Sequence, residues 1–295
     1  MSAIGYLLFD KPARVTSFTA LKAIRKAYPD SKVGHSGTLD SFATGLLIVL
    51  VGQYSRLAPW FLGLDKVYEA SFRFGTGTDT LDPVGKEDSR GPIPGEDDIR
   101  NSLARFVGTI EQIPPRYSAL HVKGQRASDL ALRGQDFQLK ARPVTIHSLE
   151  LQHYDAAEGK GEFRIHCSSG TYVRALARDI ARACGTCAHV SALRRTRVGP
   201  FSIGQIDNDP GFPLHAIDPD TASALGLGIL RLGKDQIPLF SNGQTALLAE
   251  LGASCGGMDR DLAVFGPDSR FHGIVRNSQG GLSFGPVLSP RREGE

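Results

Sequence analysis

Apolar residues recur along this chain with two different periods, and the switches between them mark its elements. Ile4 to Phe9 is an apolar run of strand length, stopped by Asp10-Lys11-Pro12. Thr16 or Ser17 then offers a helix N-cap, and Phe18, Leu21, Ile24 and Tyr28 recur at helical spacing until Pro29 ends the pattern. After a polar turn, Gly34 to Gly37 leads to Asp40 and a second apolar stretch, Ala43 to Val51. Tyr68, Ala70, Phe72 and Phe74 alternate with Glu69, Ser71 and Arg73, which predicts a half-buried strand. Helical spacing returns over 96–107, where Ile99, Leu103 and Phe106 share a face behind an acidic first turn. Phe163, Ile165 and Cys167 alternate as a strand that ends at Ser169-Gly170. A helix is predicted from about Tyr172 to Ala183, burying Val173, Leu176 and Ile180 and turning Arg174, Arg178 and Arg182 to another face.

Strands dominate, and helices are interspersed without strict alternation. That pattern predicts an α+β fold with a mixed, largely antiparallel central sheet flanked by helices. The segment Asn208-Asp209-Pro210-Gly211-Phe212-Pro213, with Asp218-Pro219-Asp220 after it, predicts a turn-rich connector. Beyond it, short apolar segments such as Leu262 to Phe265 and Gly273 to Val275 are separated by glycines, enough for a small β-rich second domain. The expected division is 1–222 and 223–295.

Composition sharpens this picture only in places. A chain of 295 residues with 41% hydrophobic and 22% charged residues can build a core, which excludes a disordered or fibrous protein. The longest useful apolar run, Leu46 to Val51, is far shorter than the ~20 residues a membrane helix needs. The start MSAIGYLLFDKP has no basic region before its apolar stretch, so export is not expected. Four cysteines (Cys167, Cys184, Cys187 and Cys255) form no disulfide framework and suit a reducing compartment, most simply the cytoplasm. The net charge of +3 hides an asymmetry: residues 101–200 carry 15 Lys/Arg and 8 Asp/Glu. A basic middle is what a polyanion-binding surface requires, although a solvated basic face has the same composition.

Several motifs fail. Cys184-Gly185-Thr186-Cys187 lacks a second pair of zinc ligands at usable spacing and reads as two small buried residues at a helix end. Gly75-Thr76-Gly77 has neither the third glycine nor the following helix of a dinucleotide loop. One segment holds more chemistry: Gly34-His35-Ser36-Gly37-Thr38-Leu39-Asp40-Ser41-Phe42-Ala43-Thr44-Gly45-Leu46. Glycines allow a tight turn, and a carboxylate held in it can face a cleft while partly desolvated. Read from these residues alone, Asp40 is equally a cap for a following helix.

In this segment the chain resembles the bacterial tRNA pseudouridine-55 synthases, the TruB family. The resemblance rests on Asp10-Lys11-Pro12, Thr16-Ser17, and Gly34 through Asp40. It continues through Lys66-Val67-Tyr68, Thr78-Asp79-Thr80-Leu81-Asp82 and Pro114-Pro115-Arg116-Tyr117-Ser118-Ala119-Leu120. Gly170-Thr171-Tyr172-Val173-Arg174 and Leu193-Arg194-Arg195 complete the ordered set over roughly 4–202. It implies a pseudouridine synthase fold and the isomerisation of uridine-55 in the tRNA T-arm loop. No cofactor or metal is implied, since reactant and product are isomers. The implied partner is tRNA, with no membrane, no required protein partner and a monomeric chain.

The resemblance also implies roles. Asp40 matches the catalytic aspartate, Arg174 the arginine placed against it, and Tyr68 the tyrosine that stacks on the base. Leu193 matches an apolar wall of the uracil pocket. His35 matches the histidine that fills the space left by the extruded base, and Lys11 is grouped with the substrate-binding residues. The segment 115–134 matches one that closes over RNA, so Arg116, Lys123, Arg126 and Arg133 are expected to meet phosphates. The region from about Ile229 to Pro290 loosely resembles a PUA-type RNA-binding domain. The chain departs from the family where Ser36 replaces a usual Thr and Ser41 a usual Pro. Arg14 stands for a usual Gly, His121 for a Lys and Ser128 for a Tyr. Two other readings are weighed: a catalytically inactive RNA-binding or tRNA-folding protein on the same scaffold, and an isomerase working within a guide-RNA particle. The Asp40, Tyr68 and Arg174 set speaks against the first, and the lack of long insertions against the second.

Overall fold

Every side chain from Leu46 to Val51 is fully buried, and a strand with no polar face must be covered on both sides. The computed structural model of the chain, which describes residues 3–207, 209–254, 259–278 and 281–288, shows how. Asn208, Cys255 and Pro290 lie outside the described residues.

The first elements are β1 (Gly5–Lys11), α1 (Ser17–Ala20), α2 (Lys22–Ala27), β2 (Val33–Ser36), β3 (Thr44–Val51), α3 (Ala58–Leu62) and β4 (Lys66–Phe74). Then come β5 (Thr76–Thr78), β6 (Glu87–Arg90), α4 (Glu96–Leu103), β7 (Gly108–Gln112), β8 (His121–Val122), β9 (Gln125–Arg126) and α5 (Ala127–Leu132). The long strands β10 (Arg142–Asp155) and β11 (Lys160–Cys167) precede α6 (Val173–Ala183), β12 (Ala188–Val198) and β13 (Phe201–Ser202). The chain continues with α7 (Pro219–Ala224), β14 (Gly228–Arg231), α8 (Gln236–Ser241), α9 (Thr245–Ser254), β15 (Leu262–Phe265), β16 (Phe271–Ser278) and β17 (Gly281–Val287).

A sheet of nine strands runs β1-β3-β12-β4-β11-β10-β7, with β2 added to β3 and β13 to β12. Only the β3–β12 contact is parallel within it, so the expected largely antiparallel α+β architecture is what forms. The two halves of the sheet differ in cover. In the β1–β3 half, Leu7, Leu47 and Val49 pack under Leu21 and Ile24. Leu8, Leu46 and Ile48 face the opposite way, onto Phe61, Ile217 and Phe265. In the β4–β11 half, Phe72, Phe163 and Ile165 pack against Leu176 and Ile180 of α6. Phe72 and Phe163 stack with centroids 4.3 Å apart. The other face of that half carries Glu69 and Arg164, both exposed, and is open.

A second sheet, β14-β15-β16-β17, shares the Phe61 core with the first through Ala263, Phe265 and Phe271. Burying the two phenylalanine rings against the first sheet contributes roughly 2 kcal/mol each. Among the described residues no helix is long and apolar enough to cross a membrane.

The structure corrects several local expectations. The single helix predicted from Ser17 to Tyr28 is two, parted at Leu21, where ψ is 4°. The first turn is Ser-Phe-Thr-Ala, of which Ser, Phe and Thr propagate a helix poorly, although Thr16 caps it as expected. Asp218-Pro219-Asp220 is no mere turn: the Asp218 carboxylate caps α7, with Pro219 in its first turn. The C-terminal region also contains α8 and α9 beside its strands. Cys184 and Cys187 are half-buried, not buried, because α6 ends before them at the surface.

Candidate active site

The loop from Gly37 to Gly45 enters β3, a strand, so Asp40 caps no helix. Its conformation needs glycine where it turns. Gly45 has φ 105°, and a Cβ there would lie 2.3 Å from the Arg195 carbonyl oxygen. Three buried polar side chains clamp this loop. The Ser17 hydroxyl donates to the Leu39 carbonyl (3.1 Å) and accepts from the Leu39 N–H (2.9 Å). Lys11, with no exposed surface, donates to the carbonyls of Pro12 (2.9 Å), Val15 (2.8 Å) and Ser41 (3.4 Å). Arg195 donates from Nε to Leu46 (2.8 Å) and from Nη2 to Gly37 (3.0 Å). Buried cations persist only when satisfied in this way.

Lys11 therefore departs from its expected substrate-binding role. It is enclosed and saturated by backbone carbonyls, out of reach of a phosphate. Arg174 is a second departure: it belongs to the buried side of α6, with its side chain 5% exposed. At the second position of the helix it turns into the loops, where two carboxylates neutralise it. Nη2 donates to Asp40 Oδ1 at 3.1 Å, and Nε lies 2.8 Å from Asp40 Oδ2 as a charge contact off the hydrogen-bond axis. Nη1 lies 3.3 Å from Asp82 Oδ2 and donates to the Thr80 carbonyl at 2.8 Å. Nη2 also donates to the Tyr117 carbonyl at 2.9 Å. Gln112 fixes the helix entrance by exchanging hydrogen bonds with both backbone groups of Tyr172.

Asp82 is held in turn. Its Oδ1 accepts from the Thr80 hydroxyl (2.6 Å) and the Val84 N–H (3.0 Å). Arg174 thus sits between two carboxylates, and its planar fork suits this bridging. Burial raises the Asp40 pKa above the ordinary aspartate range; Arg174 opposes the shift, the charge of Asp82 adds to it and Lys11 opposes it more weakly.

Asp40, Tyr68, Leu193, Leu39, Thr171 and Arg174 line a cavity of about 100 Å³. Tyr68 and Arg195 are cross-strand partners on β4 and β12, as are Ala70 and Leu193. Burial raises the Tyr68 phenol above its ordinary value, with Arg195 pulling the other way. Leu193 also borders a wider groove of about 760 Å³ with Arg14, Phe42, Thr44, Val84 and Arg194. Arg14, where the resemblance expects glycine, has φ 65°; an L-residue there costs about 1–2 kcal/mol.

The remaining expected residues are not in the cavity wall. His35 lies in β2, opposite Val49. Among the described residues its Nδ1 has no partner, and burial, then Arg195, lowers its pKa. Arg116 donates to the Gln135 carbonyl at 3.0 Å and covers the Phe137 ring at 4.9 Å. Lys123 and Arg126 are exposed on the β8–β9 hairpin. Sequence reasoning weighed Ser17 only as a helix cap and gave Asp82, Gln112 and Arg195 no role. Arg195 had a signal, since it alternates with Leu193 and so shares its face.

Residues 25–173 match the family model described as TruB family pseudouridylate synthase (N terminal domain). Residues 174–217 match that of the tRNA pseudouridylate synthase B C-terminal domain. The tRNA pseudouridine synthase B of Borreliella burgdorferi strain ZS7 is 47% identical over 200 residues, 68% of this chain and 71% of that protein. The protein of the same name from Novosphingobium aromaticivorans is 42% identical over 236 residues, 76% of this chain and 73% of its own. In fold, the chain resembles a protein in an H/ACA RNP bound to a substrate RNA containing 2′-deoxyuridine. The TM-score is 0.67 at 20% identity, with 97% of this chain and 86% of that one covered. An archaeal box H/ACA sRNP Nop10-Cbf5 complex gives a TM-score of 0.64 at 19% identity, covering 97% and 86%.

Proposed function

Because the chain belongs to the TruB family of pseudouridylate synthases and is a tRNA pseudouridine synthase, we propose that it acts on uridine-55 of the T-arm loop with Asp40 as nucleophile. The observation that carries this reading is the Asp40 carboxylate, paired with Arg174 in the wall of a small cavity beside Tyr68 and Leu193. A nucleophilic carboxylate must be ionised, and Arg174 opposes the burial that favours its protonated form. A pure RNA-binding protein has no use for a carboxylate beside phosphates, which favours catalysis over the inactive reading.

The target base leaves its stack at a cost of a few kcal/mol and enters against Tyr68 and Leu193, while His35 fills the vacated space. Asp40 attacks, with ribose C1′ and uracil C6 both chemically open to it. The C1′–N1 bond breaks, the uracil turns within the cavity, and a C1′–C5 bond forms. C5 then loses its proton, N1 gains one, and Asp40 is released, so the reaction is balanced as an isomerisation. The raised Tyr68 phenol stays protonated at neutral pH; it stacks first, and takes the C5 proton only as it passes its own onward.

Arg116, Lys123 and Arg126 meet phosphates in this reading. The chain acts as a monomer without a protein partner, in the cytoplasm. In this reading residues 1–222 form the catalytic part and residues 223–295 a PUA-like RNA-binding part. Mapping the modified nucleotide in an unmodified tRNA transcript tests the site. Pseudouridine at position 55, and none when that uridine is cytidine, is the expected result; modification at another position overturns the assignment.

A further inference from the structure

Asp65, His147 and His166 bring their ligand atoms within 4.8 Å of one another on three chain segments. We propose that they form a binding site for a divalent transition metal of the zinc class, separate from the catalytic cavity. His166 lies on β11, Asp65 immediately precedes β4, and His147 lies on β10. The β10–β11 register shifts between Ile146 and Ser148, so His147 and Ser148 together oppose His166. A bulge of this kind re-aims a side chain; here it brings His147 to the same face as His166, their rings 4.6 Å apart and inclined by 43°. Asp65 is fixed through its carbonyl, which accepts from the Gly199 N–H at 2.7 Å.

His147 Nε2 is already 3.0 Å from Asp65 Oδ2. Bonds of about 2.0–2.1 Å in a tetrahedral site place donor atoms about 3.3 Å apart. No separation must therefore close by more than about 1.5 Å, a small rotation for side chains that are 37% and 44% exposed at His147 and Asp65. Two imidazoles and a carboxylate select Zn²⁺, Co²⁺ or Ni²⁺ over Mg²⁺ and Ca²⁺, and leave a position for water. A bound ion would tie the start of β4, the strand of Tyr68, to β10 and β11.

The test uses the full chain, stripped with chelator and titrated with ZnCl₂ by calorimetry near pH 7.5. One ion per chain is expected, in the natural sequence and in the Cys184→Ser/Cys187→Ser variant alike. His147→Ala or His166→Ala should weaken binding at least a hundredfold. X-ray absorption of the natural-sequence zinc complex serves as a check independent of variant folding, and two imidazole nitrogens with oxygen should be found. No binding up to millimolar zinc, a site lost with the two cysteines, unchanged affinity in His147→Ala, or a zinc shell without imidazole would each overturn the proposal.

Discussion

Cations from other elements surround the loop 37–45, and cations of its own line the segment 115–134, yet the two sets are used in opposite ways. Around the first, Lys11 and Arg195 are 0% and 1% exposed and spend their charge on backbone carbonyls. Along the second, Lys123 and Arg126 are exposed, on a hairpin of two residue pairs turned at Lys123 and Gly124, both with positive φ. Buried cations saturated by carbonyls fix a loop, whereas exposed ones on a short ribbon leave a segment free to follow a polyanion. The two regions meet at Arg174, which holds Asp40 and also donates to the Tyr117 carbonyl at the base of the second segment. In the proposed mechanism, closure over RNA and alignment of the nucleophile therefore share one side chain.

Breaking the comparison at that shared point should have the largest effect. Arg174→Lys keeps a charge but loses the planar fork; single-turnover rates should fall about a thousandfold, with tRNA affinity changed only a few-fold. Next is the clamp itself. Lys11→Met removes the donor shared by the half-buried Pro12, Val15 and Ser41 carbonyls, so denaturant titration should show a loss of about 2 kcal/mol. Activity should fall with it even where the protein remains folded. A subtler change sharpens the electrostatics. Asp40 must be ionised to act and its pKa is raised, so kcat/KM should fall on the acid side at a pH above the ordinary aspartate value. Asp82 adds to that rise, so Asp82→Asn should move the acid limb to lower pH. The smallest effects belong to the exposed segment. Arg126→Ala should raise KM a few-fold, flatten the salt dependence of binding by about one ion, and leave stability within about 0.5 kcal/mol.

How much of this was legible in the sequence follows from the same contrast. Alternation along β4 and β11 and the apolar run of β3 announced strands, because their partners across the sheet only reinforced a period of two. The break at Leu21 and the α7 start at Asp218 were harder, since Ser, Thr, Asp and Pro serve turns and caps equally. At the site, Asp40, Tyr68, Arg174 and Leu193 came through the ordered family blocks, and the structure brings these four together around one cavity. Arg174 was placed on the wrong face because helix periodicity treats arginine as polar, and says nothing of two carboxylates folded over from other loops. Lys11 was misread for a similar reason: what fills its surroundings is backbone carbonyl, which has no letter in the sequence. Asp82 and Ser17 stood inside quoted blocks, but their partners lie 92 and 22 residues away in the chain.

The central claim is that Asp40 is the nucleophile of uridine isomerisation. Tritium release from a tRNA transcript labelled at uridine C5 tests it most directly, because C5 loses its hydrogen only once the new carbon–carbon bond has formed there. The account predicts release by the natural sequence and none by Asp40→Asn, with both proteins binding the transcript equally. Release by Asp40→Asn at a comparable rate would contradict it and place the nucleophile elsewhere.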